Sequence, residues 1–128
     1  MDGWIGVDLD GTLAEYHGWK GIAHIGAPIP AMVERVKEWV AAGTKVKIFT
    51  ARVDGGKVAL QVSRPGDVYD PDAQKVDEIV KHIEDWCLQH LGFTLPVTNV
   101  KDFAMIELWD DRAVRVEFNT GRVFNAIV

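Results

Sequence analysis

Apolar strands and amphipathic helical segments alternate along the first part of the chain. An apolar run at residues 4–7 predicts a buried strand, and residues 45–49 predict a second one. Between them, apolar side chains recur at helical spacing after Pro30, which is a favourable first helical residue. Gly43 then follows as a typical residue at a helix C-terminus. This order predicts a strand–helix–strand unit.

The second half of the chain continues with the longest predicted helix and further strands. The helix is expected to begin at Asp70, a good N-cap residue, and to end before Gly92. Strands are predicted at residues 96–100 and 104–109, and alternation over residues 114–128 predicts a C-terminal β-hairpin. Strands that alternate with helices in this order predict an α/β fold with a mostly parallel sheet.

Two irregular segments interrupt the pattern, at residues 11–29 and 53–70. The first is rich in Gly and Pro and too long for an ordinary turn, so it predicts a short flap. The second predicts a loop insertion, either a hairpin or a mobile lid, and is too short to be an independent cap domain. Residues 1–128 are therefore expected to form a single domain without a full cap.

The composition is that of a globular protein and excludes some function classes. Of the 128 residues, 48% are hydrophobic and 26% are charged. The formal net charge of -5 gives no support to a broad nucleic-acid or membrane surface. Cys87 is the single cysteine, and neither a signal peptide nor a membrane-spanning stretch is expected. A cytoplasmic location is the expectation.

Polar side chains stand at the C-terminal ends of the predicted parallel strands. In strand order they are Asp8 and Asp10, then Thr50, then Lys101, and finally Asp110 with Asp111. Ligands of such sheets bind beyond the carboxyl ends of the strands. These side chains are therefore predicted to meet at one edge of the sheet.

Acids placed this close together repel one another unless a cation or a shared proton relieves the repulsion. Carboxylate oxygens suit Mg²⁺, with Asp8 and either Asp110 or Asp111 as the expected ligands. A hydroxyl and an ammonium group are not needed to hold bare Mg²⁺. Thr50 and Lys101 therefore indicate an anionic ligand such as a phosphoryl group.

The first pair of acids suits phosphoryl transfer. One carboxylate can attack phosphorus and form an aspartyl-phosphate, while the other serves as general acid and then as general base. Gly11 allows the backbone to approach the phosphate closely, and exposed N–H groups in the turn could bind its oxygens. These residue types do not by themselves say which acid attacks.

The stretch Asp8-Leu9-Asp10-Gly11-Thr12-Leu13 resembles the first motif of the haloacid dehalogenase (HAD) superfamily. The later motifs follow in the right order: Thr50 resembles the second, Lys101 the third, and Asp110-Asp111 the fourth. The resemblance covers the chain from Asp8 to about Arg112. It implies a three-layer αβα Rossmann-like fold and a Mg²⁺-dependent phosphatase.

The resemblance also implies a role for each matching residue. Asp8 would be the nucleophile and a metal ligand, and Asp10 the general acid/base with its backbone carbonyl on the metal. Thr50 and Lys101 would hold the phosphoryl oxygens. Asp110 would be the likelier direct metal ligand, with Asp111 acting directly or through water. An acid at position 10 is typical of the phosphatases, so the expected reaction is hydrolysis of a phosphate monoester such as a nucleotide or sugar phosphate.

Several alternatives stay open at this point. The short insertions indicate a small capless or minimally capped member, whose site is open or is closed by a neighbouring subunit in a homo-oligomer. Residues 98–112 also resemble small HAD-like proteins of bacteria and phages. A phospho-accepting signalling domain, similar to a response-regulator receiver, would gather the same residue types without turnover. A nucleic-acid end as substrate has no support from the net charge. Arg52 and Arg112 could reach a substrate phosphate or form surface ion pairs.

Overall fold

The computed structural model describes residues 3–53 and 75–124, which contain a four-stranded parallel sheet. The strands are β1 (Trp4–Asp8), β2 (Lys45–Phe49), β3 (Val97–Thr98) and β4 (Met105–Trp109). Their order is β3-β2-β1-β4, and all three pairings are parallel. The predicted α/β class with a parallel sheet is therefore confirmed. β1 lies between β2 and β4, so the acids at its end have a strand on either side.

Two helices connect the strands. Helix α1 (Pro30–Ala41) joins β1 to β2, and helix α2 (Val76–His90) lies between β2 and β3, after a short 3₁₀ helix at Ala51–Val53. Both helices are followed by a glycine with positive φ, at +84° for Gly43 and +88° for Gly92. This backbone region suits glycine and ends a helix. The predicted helix start at Asp70 lies outside the described residues.

The core lies between the two helices and one face of the sheet. Ile5 and Val7 of β1 pair with Val46 and Ile48 of β2, and all four are buried in one apolar cluster. The residues that the helices bury against them are Met32, Val36, Ile79, Ile83, Trp86 and Cys87. The apolar periodicity of each helix thus explains which face it buries. Cys87, on this buried face of α2, is a free thiol.

The predicted third layer and hairpin are not confirmed. Within residues 3–53 and 75–124, both helices pack on the same face of the sheet. At the C-terminal end, one isolated antiparallel bridge joins Val116 to Val123, and residues 125–128 lie outside the described part. Neither described helix has the length and apolar content required to cross a bilayer.

Residues 11–29, the predicted flap, leave the end of β1 and return to the start of α1. At its base, the Glu15 amide donates to the Ala27 carbonyl at 2.8 Å and the Ile29 amide to the Leu13 carbonyl at 2.8 Å. Gly26 packs so closely that a Cβ there would lie 2.0 Å from the Glu15 carbonyl oxygen. This short antiparallel pairing closes the loop and holds its middle over the carboxyl end of the sheet, where Arg52 contacts it. The second predicted insertion falls almost wholly on residues 54–74, outside the described residues.

Candidate active site

Three carboxylates meet where β1 and β4 end. Val7 pairs with Trp109, so the next residue of each strand, Asp8 and Asp110, lies at the same level. One carboxylate oxygen each from Asp8, Asp110 and Asp111 lies within 4.8 Å of the others. Two adjacent parallel strands therefore bring together acids that are about a hundred residues apart in sequence. We call these three residues the acidic cluster.

The acidic cluster is strongly self-repelling. Burial, followed by a hydrogen bond to Asp111 and the negative charges of Asp110, Asp111 and Asp10, raises the pKa of Asp8 to about 8. Burial and the neighbouring Asp111 likewise raise the pKa of Asp110. Every one of these influences favours the protonated form of the carboxyl groups. A bound cation would counter these influences and keep the carboxyl groups ionised.

Thr12 and Gly11 shape the cluster from the turn after β1, and sequence reasoning missed the part of Thr12. The Thr12 hydroxyl lies 3.2 Å from Asp111 Oδ1 and 3.4 Å from Asp8 Oδ2, and it accepts from the Asp111 amide at 3.1 Å. Gly11 has φ +90°, and a Cβ there would lie 2.8 Å from Asp111 Oδ2. Gly11 thus makes room for Asp111. Its amide donates to the Ala14 carbonyl at 2.8 Å, so phosphate binding through Gly11 stays a prediction.

The predicted phosphate ligands Thr50 and Lys101 differ in their placement. Thr50 directly follows β2, is buried, and accepts a hydrogen bond from the Arg52 amide at 3.1 Å. Because Asp8 pairs with Phe49, Thr50 lies at the edge of the sheet where Asp8 ends. Lys101 is exposed after β3, and within the described chain no ion pair joins it to the acidic cluster. The binding of phosphate by Thr50 and Lys101 therefore stays a prediction.

Asp10 has surroundings of its own, dominated by Arg52. Arg52 Nε donates to Asp10 Oδ2 at 2.7 Å and Nη2 to Asp10 Oδ1 at 2.8 Å, which is a bidentate ion pair. The Arg52 side chain is 4% exposed and that of Asp10 is 18% exposed. The sequence-based alternative of a surface ion pair for Arg52 is therefore wrong. The signal available in the sequence is its position two residues after Thr50, at the end of β2.

Arg112, the second arginine that follows a motif, and three aromatic residues of the flap have contacts of other kinds. Arg112 is exposed, and its amide donates to Asp110 Oδ1 at 2.8 Å. His17 is exposed beside Glu15, and His24 contributes its carbonyl oxygen to Arg52. Trp19 is buried, with its ring 4.8 Å from the Arg52 guanidinium carbon. The middle of the flap thus packs on Arg52, whereas Gly11 and Thr12 at its start contact the acidic cluster.

The acidic cluster fits a hard divalent cation. Carboxylate oxygens are the ligands that Mg²⁺ takes in proteins, usually one or two of them together with water. Three oxygens within 4.8 Å of one another, a raised pKa at Asp8 and a glycine that leaves room for Asp111 all suit such an ion. The donor set offers no sulfur or imidazole ligand among the clustered residues, which disfavours a soft metal.

Comparisons with known proteins agree on the fold and go no further. No family model matches the sequence, and no curated protein matches it. A solved structure of a conserved protein from Bacteroides thetaiotaomicron is similar to the chain, with a TM-score of 0.52 and 21% sequence identity. The alignment covers 89% of this chain and 79% of that chain. At this identity, the likeness shows a shared α/β fold alone.

Proposed function

We propose that this protein is a Mg²⁺-dependent phosphatase of the HAD superfamily that hydrolyses a phosphate monoester, such as a nucleotide or sugar phosphate, in the cytoplasm. The observation that carries the proposal is the acidic cluster, where the pKa of Asp8 is raised to about 8 by burial and by other acids. A bound cation would relieve the repulsion on a carboxylate that lies in such surroundings at a strand end. The motif order from Asp8 to Asp111 then assigns the chemistry.

In the proposed reaction, Asp8 is the nucleophile. A carboxylate oxygen of Asp8 attacks phosphorus and the bond from phosphorus to the leaving oxygen breaks. Asp10, which must first take up a proton on a lone pair that Arg52 leaves free, gives this proton to the leaving oxygen. Asp10 then takes a proton from water, which attacks phosphorus and breaks the bond to Asp8. When bound, Mg²⁺ would be held by Asp8, Asp110 and Asp111 with the Asp10 carbonyl, and it would supply positive charge that offsets both the carboxylates and the phosphoryl oxygens.

The remaining residues have supporting roles in the proposal. Thr50 offers a buried hydroxyl at the edge of the sheet, and Lys101 would turn from its exposed position toward the phosphoryl oxygens. The proposed full architecture adds the third layer and the C-terminal hairpin of an αβα fold. Because the flap is short, the site is proposed to be open or to be covered by a second copy of the chain.

The test is a phosphatase screen over aryl, nucleotide and sugar phosphates, with Mg²⁺ and with EDTA. Asp8→Asn is expected to abolish turnover, because the amide is a poor nucleophile and a weaker ligand, while circular dichroism stays unchanged. Asp77→Asn, on an exposed part of α2, is the matched control and should leave turnover as it is. Undiminished turnover in Asp8→Asn contradicts the proposal. A stable acyl-phosphate on Asp8 without turnover would instead favour the signalling-domain alternative.

A further inference from the structure

Arg52 joins three parts of the molecule that are distant in sequence. Its Nε and Nη2 each donate a hydrogen bond to one carboxylate oxygen of Asp10, at 2.7 and 2.8 Å. Nη2 also donates to the carbonyl oxygen of His24 in the flap at 2.9 Å. The flat guanidinium lies against the Trp19 ring, 4.8 Å from its centroid, and the Arg52 amide is bound to Thr50. The same side chain thus contacts the proposed proton carrier and the flap.

We propose that Arg52 is a positioning residue that fixes the orientation of the Asp10 carboxylate and couples this orientation to the position of the flap. The inference rests on the proposed function, because it assigns a task to a residue that supports the proposed general acid/base. No charge on Arg52 needs to change, since a guanidinium stays protonated in proteins. The coupling works through geometry alone.

The bidentate contact fixes the carboxylate in a way that a single contact does not. Two parallel N–H···O bonds hold the plane of the Asp10 carboxylate against the plane of the guanidinium. Because Nη2 serves both Asp10 and His24, a shift of the flap at His24 moves a donor of Asp10 as well. An ammonium group on a lysine keeps the charge but loses this planar fork. The Arg52→Lys variant therefore tests the orientation of the Asp10 carboxylate while the positive charge beside it is kept.

The guanidinium also has spare hydrogen-bonding capacity. Nη1 is buried and has no hydrogen-bond partner in the part of the chain that the structure describes. The hydrogen bonds of the guanidinium to Asp10 and His24 therefore use Nε and Nη2 alone.

The flap has a second anchor that does not involve Asp10, and this provides a separate way to loosen it. Trp86 of α2 donates from Nε1 to the Gly26 carbonyl at 2.9 Å. Trp86→Phe removes this hydrogen bond and keeps the guanidinium of Arg52, so it reaches Asp10 only through the contact of Nη2 with His24. Arg52→Lys removes the planar fork itself. A comparison of the two variants therefore separates the direct effect of Arg52 on Asp10 from the effect of the flap.

The discriminating measurement is the dependence of kcat on the leaving group. An alkyl phosphate needs a proton on its leaving oxygen, whereas a nitrophenyl phosphate leaves readily without one. General acid catalysis contributes roughly 10²–10⁴-fold, so misplacing the acid should lower kcat for the alkyl ester about tenfold more than for the aryl ester. Arg52→Lys is expected to show this difference in full, and Trp86→Phe is expected to show a smaller difference in the same direction. Equal losses for the two esters in Arg52→Lys overturn the positioning role, and equal losses in Trp86→Phe overturn the coupling to the flap.

A second measurement does not depend on activity. Hydrogen exchange of residues 16–26 should rise in Arg52→Lys, and it should rise in Asp10→Asn, which breaks the same pair from the other side. The double variant should exchange no faster than the faster single variant, because both changes break one contact. If the wild type hydrolyses neither ester, the proposed function fails and the exchange alone decides the coupling. Unchanged exchange in both single variants overturns the coupling.

Discussion

Asp8 and Asp10 stand two residues apart, yet their surroundings have opposite electrostatics. Asp8 faces Asp110 and Asp111, and burial together with these neighbours raises its pKa to about 8. Asp10 faces a buried arginine that holds both of its oxygens at 2.7 and 2.8 Å. The protein itself supplies a cation to Asp10 and supplies only further acids to Asp8.

This difference supports the separate roles proposed for the two acids. Groups of one chemical type acquire distinct tasks when their environments treat the charged form differently. An acid that needs an external cation is suited to bind a metal together with the phosphoryl group. An acid with its own guanidinium can be held in a fixed orientation whether or not the metal is present. Each of the following predictions tests this difference by changing one of the two acids or its surroundings.

The largest expected effect is a difference in stability between the two proteins in which either acid is replaced by alanine. Asp10→Ala leaves Arg52 buried without its carboxylate, and removing one partner of a buried pair costs about 3–5 kcal/mol. Asp8→Ala removes one of three crowded acids, so it should leave the metal-free protein equally or more stable. Urea unfolding in EDTA at pH 8 measures both values. A loss in Asp8→Ala as large as that in Asp10→Ala would contradict the comparison.

The second prediction concerns pH and Mg²⁺. The pKa of Asp8 is about 8 in the folded protein and about 4 in an unfolded chain, so the folded state binds more protons between these values. Stability of the metal-free protein should therefore fall as pH rises from about 4 to 8, by roughly 1–2 kcal/mol after solvent screening. At 100 times its Kd, Mg²⁺ should add about 2.7 kcal/mol.

Thermal unfolding at pH 6 and pH 8, in EDTA and in Mg²⁺, measures both effects. The Asp8→Asn variant has no titrating group at position 8. It is therefore the control that measures how all other groups contribute to the pH dependence of stability. The wild type in EDTA should lose more stability between the two pH values than this variant does. If the two proteins respond identically, the repulsion at Asp8 is not the cause.

The sheet and its acidic edge follow from local signals in the sequence. The limits of β2 match those predicted, and α1 begins at the predicted Pro30, because apolar periodicity and the Pro and Gly punctuation act over a few residues. Because parallel strands place their carboxyl ends at one edge of the sheet, the closeness of Asp8 and Asp110 can be predicted without knowledge of the loops.

Features that depend on loop packing could not be predicted in the same way. The burial of Arg52 requires the flap to fold back over the end of β2, and its partner Asp10 is 42 residues away in sequence. The contact of Thr12 with Asp111 likewise requires the turn after β1 and the end of β4 to meet. β3 has two residues where five were predicted, because pairing with β2 extends no further. No local pattern encodes such contacts.

The smallest expected effect comes from Thr12, whose hydroxyl contacts Asp8 and Asp111 and leaves the Asp10 pair alone. Thr12→Val keeps the branched shape in a buried position but removes this hydroxyl and the acceptor of the Asp111 amide, which should cost about 1 kcal/mol. Thr98→Val is the matched control, because among the described residues the Thr98 hydroxyl accepts from the exposed Val100 amide and does not contact the acidic cluster.

The two variants also sharpen the distinction between the acids. Thr12→Val should weaken Mg²⁺ binding, measured by calorimetry, because Asp8 and Asp111 lose the group that holds them in place. It should leave the ratio of alkyl to aryl phosphate turnover unchanged, since Arg52 still orients Asp10. Thr98→Val should change neither. A shift of that ratio in Thr12→Val would mean that the two aspartates are not positioned independently, and the separation of their roles would then have to be abandoned.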